Sequence, residues 1–199
     1  MKKLILTLFC WTMVLGSFAQ DNEKPAVGVS SLIGHVSIGN GIAGGASVAD
    51  SIYNETRTKT PVFTIGADYT KGGNFSIGVI TGYQRINLNV TDTFNNFLES
   101  GDVNRFYLGI RGLWHYGKSD KIDLYSGVKI GIVAFSTGAI SGPQAKKSVI
   151  KRENNRTRTS FGIIPIGARF LITDNLGGHI QMSIGAPTFL SVGMNYRIL

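Results

Sequence analysis

Cysteine is almost absent. The only one among 199 residues is Cys10, in a short apolar run from Leu4 to Gly16 behind the basic start Met1-Lys2-Lys3. Ser17-Phe18-Ala19 then places small residues three and one before a cut ahead of Gln20, the layout of a secretory leader. Bulky Phe9 just before Cys10, and the early position of that cysteine, argue against an acylated lipoprotein. Residues 1–19 are therefore expected to be a cleaved signal peptide and residues 20–199 the working domain. Such a domain is exported without a disulfide, so size and hydrogen-bonded sheet must stabilise it.

Long apolar runs are missing too. Nothing after the leader approaches the roughly 18 consecutive apolar residues of a transmembrane helix, and no amphipathic helical stretch of useful length exists. The chain is then either soluble outside the cytoplasm or a membrane-inserted barrel. Acidic residues are few, 12 against 20 basic ones, for a net charge of +8 that falls to +6 when Lys2 and Lys3 leave with the leader. Most of that excess sits in QAKKSVIKRENNRTR (144–158), read as a basic surface loop of Lys146, Lys147, Lys151, Arg152, Arg156 and Arg158. Export and the lack of interleaved aromatics argue against nucleic acid as its partner. On a cell surface it would face phosphates of lipopolysaccharide or acidic glycans, or simply solvent.

Glycine is abundant, 26 residues or about 13% against a usual ~7%, with no collagen period. Spread through alternating runs, it suits a tight barrel whose wall bends and whose inward positions must be small. Eight such runs stand at roughly 26–38, 61–70, 75–90, 103–116, 122–135, 159–172, 176–186 and 189–198. The connections 39–60, 91–102 and 136–158 are long or medium, whereas 71–74, 117–121 and 173–175 are tight. The short Ala186-Pro187-Thr188 connection breaks that alternation. Long loops at one end and tight turns at the other predict an all-β, eight-stranded antiparallel up-and-down transmembrane barrel, with both chain ends on the tight-turn side. The 75–90 run changes phase near Gln84-Arg85, which predicts a bulge or an extension beyond the membrane.

Which phase faces lipid decides the reading. In ARFLITDNLGGHIQMSIG (168–185), Ala168, Phe170, Ile172, Leu176, Ile180, Met182 and Ile184 alternate with Arg169, Gly177, His179, Gln181, Ser183 and Gly185. Tyr69, Phe75, Trp114, Tyr116, Phe170 and Tyr196 share the apolar phase of their strands and lie near tight turns or the C-terminus. They predict an aromatic girdle at the periplasmic surface, with Phe63, Tyr83 and Phe106 as a thinner outer one. The other phase collects Asp68, Arg111, His115, Asp123, Lys129, Arg169, His179 and Arg197. Facing inward, these must hydrogen-bond to one another as a lumen network, because lone buried charges are costly.

FYLGIRGLWHYG (106–117), LYSGVKIGI (124–132), IPIGARFLITDN (164–175) and SVGMNYRIL (191–199) together resemble the small outer-membrane β-barrel domain proteins of Gram-negative bacteria, the OmpA/OmpX-like, porin-family type, over about 20–199. The resemblance implies an outer-membrane location, contact with lipid, assembly by the insertion machinery and a monomer without cofactor. The final strand alternates Val192, Met194, Tyr196, Ile198 and ends on Leu199 rather than on the usual aromatic. No peptidoglycan-binding domain follows, so cell-wall tethering is not implied.

Chemical motifs are weak. GNGIAGG (39–45) is a literal G-x-G-x-x-G, but an alternating strand follows where a dinucleotide site needs a helix. His35, His115 and His179 lie on separate strands without HExxH or cysteine partners, and no Ser-His-acid set converges on an outward patch. The sequons at Asn54, Asn89 and Asn155 are read as accidental in a bacterial chain. The expectation is a non-enzymatic scaffold presenting extracellular loops. Its competitors are a small-solute channel and a secreted, lipocalin-like soluble barrel with the apolar phase inside.

Overall fold

A computed structural model describes residues 30–41, 54–92, 94, 96–118, 122–143 and 149–198. The leader, the start of the first expected strand, most of 39–60, the 119–121 turn, Lys146 and Lys147 lie outside the described residues. Nine strands form: β1 (Ser30–Asn40), β2 (Asn54–Lys59), β3 (Val62–Lys71), β4 (Phe75–Thr91), β5 (Phe97–Lys118), β6 (Ile122–Ser141), β7 (Arg156–Leu171), β8 (Leu176–Ile184) and β9 (Leu190–Arg197). One short helix, α1 (Val149–Asn154), precedes β7. All pairings are antiparallel. From β3 through β9 each strand pairs with the next, β1 pairs with β3, and β9 returns to β1, so eight strands close a ring. Closure satisfies the backbone groups that an open edge would leave bare in lipid.

The ring is lopsided. β4 to β7 run 16 to 22 residues, whereas β8 and β9 have nine and eight. On the tight-turn side the strands end together; in the three-residue turn 72–74 between β3 and β4, Gly72 and Gly73 both take positive φ, 61° and 79°, which glycine adopts without steric cost. At the other end β4–β7 form a tall wall and β8–β9–β1–β3 a low one. β2 pairs Asn54–Lys59 with Ile86–Thr91 and covers the upper edge of β4.

Several expected loops are strand. Residues 54–59 of the 39–60 connection form β2, β5 begins at Phe97 inside 91–102, and 136–158 yields the end of β6, α1 and the start of β7. Arg156 and Arg158 therefore sit on β7, and Lys151 and Arg152 on α1, not in one basic loop. The register passes unbroken through Gln84 and Arg85; the β4–β5 irregularity lies between Val90 and Thr91. What changes at Gln84 is the surroundings. Up to Tyr83 the outward residues are apolar (Phe75, Ile77, Val79, Tyr83) except Thr81, whose hydroxyl is bonded to the Tyr107 carbonyl; beyond it they are Arg85, Asn87 and Asn89, while Ile86, Leu88 and Val90 turn inward and are buried. Lipid surrounds the lower wall and water the upper one, so the apolar phase inverts where the strand leaves the membrane. Extension, not a bulge, explains the sequence signal. A real irregularity occurs between Ile163 and Ile166, at Pro165, where proline has no N–H for the ladder.

Candidate functional site: the filled bore and its outer extension

The lower bore is polar because the inward phase carries the charges. Asp68 on β3 is 1% exposed. Arg111 on β5 grips it with both faces of its fork, Nε to Oδ1 at 2.7 Å and Nη2 to Oδ2 at 2.5 Å, while Arg169 on β7 donates Nη2 to Oδ2 from across the bore. Such bidentate, charge-assisted pairing offsets the desolvation of all three groups. The rest of the Arg111 guanidinium reaches Gln181 Oε1 (3.3 Å) and His35 Nε2 (2.7 Å), and Tyr125 donates its hydroxyl to Gln181 at 3.2 Å. Gly78 makes room: a Cβ there would stand 2.0 Å from Asp68 Oδ1.

A second node joins His115 Nδ1 to Asp123 Oδ1 at 2.7 Å and His115 Nε2 to Ser76 Oγ at 2.8 Å. Arg169 links the nodes, with Nη1 3.7 Å from Asp123 Oδ2 and its guanidinium 4.9 Å over the Tyr125 ring. Lys129, 2% exposed, stands apart and donates to Ser183 Oγ at 2.9 Å; Ser183 in turn donates to the Thr188 carbonyl. His179 meets His35 edge to face, with ring centroids 5.6 Å apart. Arg197 is half-buried and joins neither node; its Nε has no hydrogen-bond partner among the described residues. His35, Ser76 and Tyr125 enter the network unannounced, although each lies on the inward phase of its strand. Among the described residues no three His, Cys, Asp or Glu side chains gather as a metal site.

Above this tier the bore turns apolar. Ile80, Ile86, Leu88, Val90, Val103, Tyr107, Val133 and Phe135 pack with Ile150 of α1 and Ala186 of the β8–β9 turn. That turn bends inward, so Pro187 comes within 3.2 Å of the position a Gly82 Cβ would take. Glu99 Oε1 accepts the Ile150 amide at 3.0 Å and ties α1 to the wall.

The outside completes the picture. Val79, Leu108, Ile110, Ile130, Val192 and Met194 are each about half exposed on the lower wall. The outward apolar stretches Phe75–Tyr83 and Phe106–Trp114 span nine residues each, about what a tilted strand needs to cross a bilayer. Tyr69, Phe75, Trp114, Phe170 and Tyr196 are exposed at the tight-turn end, with Tyr116 half-buried beside them. At the other rim Phe63, Tyr83 and Phe106 are neighbours across three strands, and the Tyr83 and Phe106 rings lie 5.1 Å apart. A soluble barrel needs its apolar phase inside; this wall turns it out.

An autotransporter beta-domain model matches residues 37–148. The chain belongs to that family. Among solved structures, the outer membrane protein OprG of Pseudomonas aeruginosa is similar with a TM-score of 0.58 at 8% identity, over 86% of this chain and 97% of that one. Neisserial surface protein A gives 0.49 at 11% over 84% and 96%, and the Escherichia coli outer membrane protein W 0.48 at 13% over 86% and 99%. Comparison with curated protein sequences finds no match. This member of the family is an eight-stranded outer-membrane β-barrel of the Gram-negative type, in contact with membrane lipid.

Proposed function

We propose that the barrel is a non-enzymatic scaffold that holds an outer extension away from the membrane for contact with molecules at the cell surface. The observation that carries this is the tall wall. β4 continues eight residues beyond Tyr83, and β5 begins nine residues before Phe106, so the strands project far past the lipid-facing band. The bore supports the same reading. Arg111, Asp68 and Arg169 cross it below, and Ile150 and the Ala186-Pro187 turn fill it above, which leaves a small barrel without an open path for solute. On this reading residues 1–19 are a cleaved leader, the insertion machinery assembles the monomer, and the aromatic rows mark the two membrane surfaces. Lys151, Arg156 and Arg158 then bring positive charge to the outer end, toward lipopolysaccharide phosphates. The test is conductance of the purified protein in a planar bilayer. A silent bilayer is expected; steady single-channel steps would replace the scaffold by a pore.

A further inference from the structure

The inner face of the outer extension gathers cations. Directly paired residues of neighbouring strands point to the same side, so the register sorts them into rows. One inward row runs Gln84, Arg105, Phe135, Arg156 across β4 to β7. The row above holds Lys59, Ile86 and Val103, and the row below holds Gly82, Tyr107, Val133 and Arg158. Arg105 is 6% exposed. It donates Nη1 to Gln84 Oε1 at 3.2 Å, and Gln84 donates Nε2 to the Thr60 carbonyl at 2.8 Å. Its Nε is buried without a hydrogen-bond partner, and no acidic side chain pairs with it among the described residues. The buried acid of this face, Glu99, is turned to the α1 backbone, and Asp102 points outward to Arg85.

Adjacent strands lie ~4.8 Å apart, so Lys59 and Arg158, each about two strands from Arg105, stand roughly 10 Å to either side. Both are exposed. Lys59 shares a field with its neighbours: partial burial, then Arg57 and Arg105, lower the pKa of its ammonium from the usual value. Above Ile163 the described register gives β7 no β8 partner, so the row opens over the low wall. A buried guanidinium with a spare donor, flanked by exposed cations, has the chemistry to hold a dianion.

We propose that this face binds a phosphate monoester carried on a sugar, with Arg105 at the base and Lys59 and Arg158 at the rim. The idea rests on the outer extension being the contact surface, and it names the chemistry that surface takes. The carrier is either a free sugar phosphate or the phosphorylated head of an outer-leaflet lipid.

The test is calorimetric titration of the barrel in zwitterionic nanodiscs with glucose 6-phosphate, with glucose as the neutral control. Saturable heat is expected for the phosphate alone. Arg105→Gln should weaken binding at least about tenfold, as loss of a charge-assisted hydrogen bond does. The exposed Lys59→Gln should weaken it about threefold, and Lys71→Gln at the opposite end should leave it unchanged. Nanodiscs carrying phosphorylated lipid A distinguish the sources: competition with the sugar phosphate assigns the site to lipid, and its absence to a free ligand. Cold-detergent gel migration checks folding, and if Arg105→Gln does not fold, Lys59→Gln decides. No binding, or binding that both variants leave unchanged, overturns the proposal. Conductance does not enter this readout, so the site can fail while the scaffold stands.

Discussion

At the scale of single residues the bore is held by a few groups that cannot be replaced separately. Asp68 is the shared ion-pair partner of two buried guanidiniums, each 4% exposed. Asp68→Asn keeps the shape but leaves Arg111 as an uncompensated buried charge and Arg169 with only the more distant Asp123, a loss of ~3–5 kcal/mol. The expected outcome is a lower urea midpoint in lipid vesicles and early loss of the compact band in cold detergent. Gly78→Ala pushes a methyl onto the same carboxylate and onto the Ala67 backbone carbonyl, and is expected to cost ~1–3 kcal/mol by overpacking. Gly112→Ala is the control. There the added carbon meets only the Phe75 ring, at 3.2 Å, and that exposed ring can swing away, so the change should stay within ~0.5 kcal/mol. Equal costs at the two glycines would mean that the wall around Gly78 is not packed as the structure has it.

At the scale of the strand, β4 carries one alternation through two solvents. Val79 and Asn87 share the outward phase, eight residues apart, one within the lipid band and the other above it. Val79→Lys should cost ~2–4 kcal/mol near the bilayer midplane, whereas Asn87→Lys should be nearly neutral; similar costs would place the membrane boundary wrongly. The β4–β5 tip offers a pH test. Asp92 accepts the amides of Phe94 and Asn96 and the Asn96 side chain. Hydrogen bonds from Asn96, side chain then backbone, hold its pKa below the usual carboxylate value of 3.8. A depressed folded pKa gives stability that is present above the unfolded value and lost as pH falls through the folded one. Exchange protection of the Phe94 and Asn96 amides should therefore persist at pH 5 and fall only below about pH 3.8. In Asp92→Asn it should be weaker and free of that step.

The same inversion explains what could be read in the sequence. Within the membrane the strands alternate apart from breaks such as that at Pro165, so the eight runs and their order were legible. β2, with the sequence NETRTK, has no apolar phase to announce it, and the upper part of β5 follows water's rules rather than lipid's. Those elements looked like loops. In the bore the inward phase identified Asp68, Arg111 and Arg169, but not who binds whom. Asp68 meets Arg111 43 positions away through the register Asp68–Gly78–Arg111, whereas Arg169, 101 positions away, becomes its neighbour only when the sheet curls into a ring. Arg197 has the right phase and joins no node, because phase fixes the side of the wall and not the partner.

At the scale of the whole molecule, the chain's scarcity of cysteine allows its orientation to be tested cleanly. On the proposed reading that residues 1–19 leave as a leader, Cys10 goes with them and no thiol remains in the barrel. Thr58 is exposed on β2 beside the tall wall, and Asp174 is exposed in the tight turn before β8, at the opposite end. With the tall wall outside, a membrane-impermeant maleimide added to intact cells should label Thr58→Cys and spare Asp174→Cys until the outer membrane is permeabilised. Both side chains are exposed, so both variants should reach the membrane in equal amounts. Labelling in the reverse order would put the tall wall and its row of cations in the periplasm. The bore would stay as filled as before, but both the scaffold reading and an extracellular source for the phosphate would be lost.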